Sequence, residues 1–368
     1  MAFEIVTLKV AGLMLRPLTI AIEIAMDEAA RNFEAKVKHP ELAQRDLLIA
    51  LRGSPAVTIH ALASDGYSPP GGADGGDLLL TGHVEKRSPA LRSSEQELPI
   101  AGRSKTGDLV DSSAEHATGE FEGKTPQAII GELTQGYGVA VETETSPAAR
   151  PLFRMRPGET VFAAAERIGR AAGFAVGDTP EGNLKLAKAG TKRHAGSLTE
   201  GLNILDASAV HDDSKKFSKV KVRAQAPDGY GDDDLKIEAE ADDDTLKRKR
   251  VKIIVPPELI RKQDARERAK WHRDRASGEG MTCEVTVPGW RDEAGKIWTP
   301  GLLVFTEMPS LDVVQDMLIK KVSLRQSDDS SAGTQAVLSL VDPRSFGGKK
   351  GKANKGTDYT GKAGGDDE

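Results

Sequence analysis

The chain has 368 residues, which is enough for two or three hydrophobic cores. It carries 51 basic and 56 acidic residues, and the resulting net charge of −5 argues against a dedicated nucleic-acid binder, whose overall footprint is basic. Its one cysteine, Cys283, rules out an intrachain disulfide and fits folding in a reducing cytoplasm. No signal-peptide pattern and no apolar run of about 18 residues occurs, so we expect neither a secretion signal nor a membrane span.

The first part of the chain, residues 1–103, is predicted to form strands and turns, because apolar and polar residues alternate there over short runs. Ile24–Phe33 is ambiguous, and a helical turn is a second interpretation of its pattern. The strand candidates are Ile5–Val10, Leu18–Ile24, Phe33–Val37, Ala56–Ala63 and Leu78–Val84.

The middle part, residues 104–190, mixes helices with strands and predicts a compact α+β insert. Thr125 and Pro126 fit the N-cap and first position of a helix that ends at Gly136. A second predicted helix, Val161–Ala172, has an apolar stripe along one side. The predicted strands are Val139–Glu142 and Phe153–Arg156, followed by a hairpin of Phe174–Val176 and Leu184–Leu186.

Residues 191–346 are strand-rich again, and the last residues, 347–368, lack the apolar content needed to order a chain. We therefore expect 347–368 to be a flexible tail. The acidic stretch Asp228–Asp244 is interpreted as a solvated hairpin tip. A further hairpin is predicted across Asp292–Gly295. The strand candidates are Phe217–Ala224, Cys283–Val287, Leu302–Thr306, Ile319–Leu324 and Val337–Val341.

An arginine-rich helix is predicted over Asp264–Ser277, before the helix-stopping residues Gly278 and Gly280. One interpretation is an exposed helix whose charges are balanced by its own acidic residues. The alternative is a surface that faces an acidic partner or DNA. We expect Arg266, Arg273 and Arg275 to lie on the outside or at a protein interface.

Motifs that would carry chemistry are incomplete in this sequence. Gly102 and Gly107 have the spacing of a phosphate-binding loop, but Asp108 stands where that loop requires lysine. The acidic stretch lacks the glycine of an EF-hand loop, and the seven histidines show no metal-ligand spacing. Cys283 lies in an alternating strand, which predicts a small buried apolar residue rather than a nucleophile. We predict no catalytic, cofactor-binding or metal-binding residue, no cofactor and no enzymatic activity.

Arg156–Phe162, with the sequence RPGETVF, is similar to the opening of a LysM peptidoglycan-binding motif. A LysM module continues with a second helix, whereas a hairpin is predicted here. The favoured interpretation is a strand–turn–helix junction capped by Thr160 or Glu159. Glycan binding stays open as the alternative.

Four stretches, in order along residues 101–346, resemble the baseplate hub protein of Mu-like contractile phages, which is related to the T-even phage tail hub. The last of them combines paired Gly-Trp and Trp-Thr-Pro segments with a Pro-Ser-Leu loop and a terminal hairpin. The four stretches are Ala101–Ala114 (AGRSKTGDLVDSSA), Pro151–Phe162 (PLFRMRPGETVF), Gly201–Ser218, which opens with GLNIL, and Val287–Phe346.

This resemblance implies an α+β, mainly β fold with two tail-tube-like β-barrel domains and a smaller α+β domain between them. The barrels would be 1–103 and 191–346, the insert 104–190 and the tail 347–368. It also implies a homotrimeric ring in the virion tail baseplate of a phage or tailocin, made in the host cytoplasm. The ring would adapt the six-fold tail tube to the three-fold central spike.

The partners implied are the central spike protein, the tail tube protein and the baseplate wedge proteins, with DNA only in transit through the channel and no membrane. A peptidoglycan-binding or cell-wall-degrading tail component is the alternative function.

Overall fold

The fold is mainly β, with five α-helices among the described residues. The computed structural model describes residues 4–38, 43–63, 76–90, 97–144, 147–224, 236–256, 262–327 and 333–347. The helices are α1 Gln44–Ala50, α2 Gly107–Asp111, α3 Pro126–Leu133, α4 Val161–Ala171 and α5 Lys262–Gly278. None of the helices in these ranges is long and apolar enough to cross a membrane.

The strands cover both ends of the chain and part of its middle. They are β1 Glu4–Val10, β2 Leu13–Leu15, β3 Pro17–Ala25, β4 Asn32–Val37, β5 Ala56–Ala63, β6 Asp77–Arg87, β7 Leu98–Ser104, β8 Glu120–Lys124, β9 Val141–Thr143, β10 Arg150–Arg154, β11 Ala175–Asp178, β12 Leu184–Ala187, β13 Arg193–Thr199, β14 Asp206–His211, β15 Lys219–Ala224, β16 Ile237–Asp242, β17 Val251–Ile254, β18 Met281–Pro288, β19 Leu303–Met308, β20 Val313–Ser327 and β21 Thr334–Val341.

One 13-stranded sheet contains the strands from both ends of the chain. Its order is β14-β18-β21-β20-β3-β4-β7-β6-β5-β1-β2, and β19 joins β20 and carries β13. The two ends meet where β3 pairs antiparallel with β20, from Ala25 opposite Lys321 to Thr19 opposite Ser327. Apolar residues from both ends form a single hydrophobic cluster, which includes Leu8, Phe33, Trp290 and Leu338.

The middle of the chain has a core of its own. Apolar residues of α3 and α4, such as Ile129 and Ile168, pack with Val176 and Leu184 of the small sheet β11-β12-β9. This unit is fastened to the first part of the chain by Asp178. Its carboxylate accepts hydrogen bonds at 3.0 Å from the Arg31 Nε and at 2.6 Å from the Ser104 hydroxyl.

A third, smaller layer lies within the last part of the chain. The sheet β16-β15-β17 packs one face against α5, so that Val222 and Ile237 meet Ala265 and Ala269. The other face carries alternating lysines and glutamates in ion pairs, such as Lys219 to Glu240 at 2.6 Å.

Most predicted elements are confirmed, and their bounds move by a few residues. The helices begin where Thr125 and Thr160 accept hydrogen bonds from the backbone N–H three residues later. Ile24–Phe33 contains no helix, because a turn there joins β3 to β4. The interpretation of Asp228–Asp244 as a hairpin tip is wrong for Ile237–Asp242, which forms strand β16. Residues 225–235 and nearly all of the predicted tail lie outside the described residues.

Arg291 connects the two ends of the chain through a buried ionic network. Its guanidinium donates to both oxygens of Glu4 at 2.7 and 2.9 Å and to Asp77 at 2.6 Å. The Arg291 and Glu4 side chains are 9% and 1% exposed. Since Glu4 belongs to β1 and Asp77 to β6, the hairpin after β18 is held against the first strands of the chain.

Replacing this guanidinium should leave the Glu4 carboxylate buried without a counter-charge. We expect Arg291→Met to lower the free energy of unfolding by about 3–5 kcal/mol. The control is Arg103→Met, because Arg103 also pairs with two carboxylates, Glu85 and Asp111, but at a half-exposed position. This control variant should lower the free energy of unfolding by about 1 kcal/mol or less. Urea unfolding measures both, and equal losses would contradict a special role for the buried network.

Candidate functional site

The RPGETVF segment is a closed strand–turn–helix junction. The Glu159 carboxylate accepts from the Arg156 N–H at 2.7 Å and from Arg167 at 2.6 Å, and Thr160 caps α4. The hairpin of β11 and β12 follows α4, where a LysM module would continue with a second helix. The favoured interpretation of this segment as a strand–turn–helix junction is therefore confirmed, since Thr160 caps the helix and Glu159 binds within the chain.

The Gly102–Gly107 segment joins β7 to α2. A side chain at Gly102 would collide with the His83 carbonyl oxygen, 1.9 Å from the position of its Cβ. Glycine is therefore needed here for the close approach of β6 and β7. Arg103 directs its guanidinium to Glu85 and Asp111, and these pairs raise its pKa further above its usual range. The Gly102–Gly107 segment therefore has a structural role in packing β6 against β7.

No group of three or more His, Cys, Asp or Glu side chains in the described ranges is arranged to hold a metal ion. Cys283 is buried in the main core, as predicted, and burial raises the pKa of its thiol to about 11. The thiol is protonated at neutral pH and has little nucleophilic character.

His194 and Asp292 form a buried pair that the sequence did not reveal, because 98 residues separate them. The Thr299 N–H donates to His194 Nε2 at 3.0 Å, so the ring proton lies on Nδ1 and is donated to Asp292 Oδ2 at 2.8 Å. Burial lowers the pKa of His194, and the ring is neutral at physiological pH. A backbone amide occupies Nε2, so the ring has no free nitrogen with which to activate a nucleophile. The pair instead fixes the turn at Asp292–Gly295.

The most extensive candidate surface is one face of the run β14-β18-β21-β20-β3-β4-β7-β6. A row of directly opposed residues crosses all eight strands of this run, and we call this surface the eight-strand face. The row is Asp206, Thr286, Val337, Ser323, Glu23, Asn32, Arg103 and His83. A groove of about 520 Å³ runs along the face over β3, β4, β7 and β20.

The eight-strand face is electrically balanced. Lys321 pairs with Glu23 at 2.8 Å, and Lys36 lies 3.7 Å from Glu97. The face also carries two exposed carboxylates, Glu34 on β4 and Glu284 on β18. Its other cations, Arg325, Arg103 and Lys86, share the face with acidic residues such as Asp206, so the face has no strongly basic patch.

The comparisons with known proteins agree on one assignment. The family model of the second domain of gp44-like baseplate hub proteins matches residues 106–188. The model of the fourth domain of the Mu phage baseplate assembly protein GpP matches residues 261–348. The baseplate hub protein gp44 of Escherichia phage Mu is 30% identical over 276 residues, covering 72% of this chain and 73% of gp44. The chain belongs to the Mu baseplate hub family.

Solved structures of related proteins have the same fold. The 43 kDa tail protein of prophage MuSo2 from Shewanella oneidensis is 25% identical, with a TM-score of 0.76, over 94% of this chain and 99% of that protein. An Escherichia coli type VI secretion component, described as similar to the T4 tail proteins gp27 and gp5, gives a TM-score of 0.50 at 11% identity, over 90% and 76%. This chain is a mainly β baseplate hub of a phage tail.

In this hub protein, the arginine-rich helix α5 lies on the small sheet and not on the eight-strand face. Arg266 is exposed, whereas Arg273 pairs with Asp274 and donates to the Asp242 carbonyl. Arg275 pairs with Glu279 and lies 5.1 Å from the exposed Trp271 ring. Arg266 therefore lies on the outside, as one alternative expected, while a protein interface at these arginines stays a prediction.

The buried His194 predicts how the stability of the hub protein depends on pH. Below about pH 6.5 a histidine in the unfolded chain binds a proton that the buried ring accepts only at lower pH. The free energy of unfolding should therefore fall as the pH drops below 6.5, by up to about 1.4 kcal/mol per pH unit. His194→Asn should flatten this slope, as measured by urea unfolding at pH 7.5 and 5.5. His211→Asn, at an exposed position, should retain it, and equal slopes in all three proteins would contradict the assignment.

Proposed function

We propose that the protein is the trimeric hub ring of the baseplate, adapting a six-fold tail tube to a three-fold central spike. Each copy supplies two similar strand units, so that three copies present six. The spike, tube and wedge proteins would bind this ring, and DNA would pass through its bore. The role is geometric and needs no catalytic group.

The observation that carries this proposal is a repeat in the strand order. If the four strands of each unit are numbered along the chain, the first unit is β3, β4, β6, β7 and the second is β14, β18, β20, β21. Along the run from β14 to β6, both units have the order first, second, fourth, third. All neighbouring pairs within each unit are antiparallel. Two units that follow one another in the same strand order and direction along one sheet have the arrangement expected of neighbouring units in a ring.

The two units also share the position of a β-bulge. The register of β6 against β7 shifts between Val84 and Lys86, and that of β20 against β21 shifts between Ile319 and Lys321. A bulge at the same place in two units with dissimilar sequences indicates a shared topology. This supports a domain layout of two tube-like β-barrels, 1–103 and 191–346, around the α+β insert 104–190, with a tail over 347–368.

The eight-strand face is the proposed bore wall. A wall with many unpaired cations would hold each phosphate it meets, and the salt-sensitive contacts would add along the DNA. The balance of acidic and basic side chains on this face limits such contacts. We do not favour a glycan-binding role for the RPGETVF segment, because Glu159 and Thr160 are already bound within the chain.

The trimer is tested by measuring molecular mass in solution across a range of protein concentrations, alone and with the central spike protein. We expect a species of three chains that increases with concentration. A protein that stays monomeric under all these conditions would contradict the ring.

The bore wall is tested by measuring duplex DNA binding on filters at several salt concentrations. Weak binding is expected for the natural sequence at physiological salt. Glu34→Lys and Glu284→Lys add cations to the face and should together tighten DNA binding. The slope of the logarithm of the binding constant against the logarithm of the salt concentration should steepen by about 0.9 per added phosphate contact. Arg266→Glu, on α5, should change nothing. Tight binding that is lost with Arg266→Glu would instead identify α5 as the DNA contact.

A further inference from the structure

We propose that strand β17 is a docking edge for an extended segment of another protein, in which apolar residues alternate with polar ones and acidic residues follow. The segment would add to the small sheet β16-β15-β17 as a fourth strand, antiparallel to β17. The inference concerns a surface of a single copy and does not depend on the proposed ring.

The backbone of β17 has one open edge. β17 lies at one end of the small sheet and pairs only with β15 among the described residues. In this parallel pair the Lys219 N–H donates to the Arg250 carbonyl at 3.2 Å. By alternation the backbone groups of Lys252 also point towards β15, whereas the N–H and carbonyl groups of Val251 and Ile253 point away from it. An open edge of this kind can accept a further strand.

The side chains of β17 form an apolar row on the outer face of the small sheet. Val251 and Ile253 lie opposite lysines of β15, on the face turned away from α5, and Val255 follows at the next alternate position. The exposed fractions of these three residues are 40%, 52% and 71%. Ile254, on the other face, packs with the core beneath α5. A row of exposed β-branched side chains beside an open edge is typical of a surface that a partner covers.

The opposite edge of the same sheet is protected in the usual way. The outer side chains of β16 are Glu238, Glu240 and Asp242, and natural sheets use charges of this kind to prevent further pairing. β17 carries Val251 and Ile253 at the corresponding outer positions. This contrast within one small sheet indicates that the β17 edge has a partner.

The charges around β17 define that partner. On the outer face, the three cations of β15 all pair with the carboxylates of β16, so this ladder is neutral. Lys247 and Lys249, just before β17, are exposed and have no carboxylate partner among the described residues. Acidic residues beside these lysines would complement the edge. Antiparallel pairing is the slightly more stable arrangement, and in it the acidic residues come after the apolar ones.

Segments of this chain match the edge less well. Residues 348–368 contain no Val, Ile, Leu, Met or Phe and cannot cover the apolar row. In a second copy, β17 is followed by Pro256 and Pro257, which lack the N–H groups needed to extend an antiparallel pairing as far as Lys249. The occupant is therefore assigned to another protein.

The docking edge is tested with a labelled peptide, Ser-Val-Thr-Val-Thr-Val-Glu-Glu-Glu, which has the proposed alternation and acidic end. Hydrogen exchange followed residue by residue should show slower exchange of the Val251 and Ile253 amides when the peptide is added. The Lys252 and Ile254 amides should change little, because they already donate to β15. Unchanged exchange at Val251 and Ile253 with about 1 mM peptide would overturn the docking edge.

Charge reversal tests the acidic end of the occupant. Lys247→Glu combined with Lys249→Glu should weaken binding of this peptide by about tenfold and strengthen binding of the same peptide ending in three lysines. An unchanged preference between the two peptides would overturn the assignment of acidic residues. Duplex DNA that binds through these lysines, with neither peptide binding, would overturn the assignment of a protein partner.

A proline variant tests whether the peptide adds as a strand. Ile253→Pro removes an N–H on the open edge and keeps the ladder to β15, a position where a strand tolerates proline. It should weaken peptide binding by about tenfold while the unfolding temperature stays close to that of the natural protein. The control Ile253→Val keeps both the N–H and the apolar branch and should bind like the natural protein. Equal affinities of the proline and valine variants would show that the peptide does not pair with this edge.

The assembled tail tests whether the edge is covered there. Ile253→Cys should react with a maleimide in the purified protein and be protected in the assembled tail, with labelling restored after denaturation. The natural Cys283 is buried and gives a low background. Full reactivity in the assembled tail would overturn the proposal. Protection that rises with the concentration of the purified protein would identify a second copy as the occupant, and would overturn it too.

Discussion

The antiparallel pairing of β3 with β20 is the contact on which the rest of the architecture depends. It joins residues about 300 positions apart, and through it the first and last parts of the chain share one sheet and one core. Closing so long a loop costs conformational entropy, which grows only slowly with loop length. The ladder of hydrogen bonds, the buried Arg291 network and the common apolar cluster offset that cost together.

This constraint explains where the chain carries its additional units. The α2–α4 unit lies between β7 and β13, and the α5 layer lies between β14 and β18, so that each leaves the sheet at a strand end and returns at another. Each has a core of its own. The sheet can therefore keep its strand order while the units between its strands differ in size and composition.

Sequence patterns predicted the elements whose stability is local. Strands with one buried face, such as β5 and β21, alternate clearly, and helices α3 and α4 begin at threonine caps. β7 was missed as a strand because Pro99 and Gly102 interrupt its pattern, although Gly102 is needed where β6 approaches. β14 was missed because an edge strand with exposed residues shows little apolar alternation. β16 was obscured by its carboxylates, which pair with lysines on β15.

The contacts that organise the eight-strand face could not be predicted from one sequence. Glu4 and Arg291, or His194 and Asp292, meet only because the strand order brings distant segments together, and no spacing marks them. The resemblance to the Mu-type hub supplied the expected architecture, whereas local patterns supplied only individual strands and helices. The repeat of strand order lies in the pairing between strands, which a single sequence does not specify.

A repeated topology with so little repeated sequence has a physical reason. The two units keep what backbone hydrogen bonding determines, namely strand order, direction and the bulge before the second half of β6 and β20. Their core side chains differ, as when Phe33 of β4 is compared with Cys283 at the same position of β18, because each core needs only to be filled. On the exposed face, Glu34 and Glu284 do coincide, at a position that meets solvent in both units. The backbone therefore carries the symmetry, and the side chains are free to differ wherever the two units meet different neighbours.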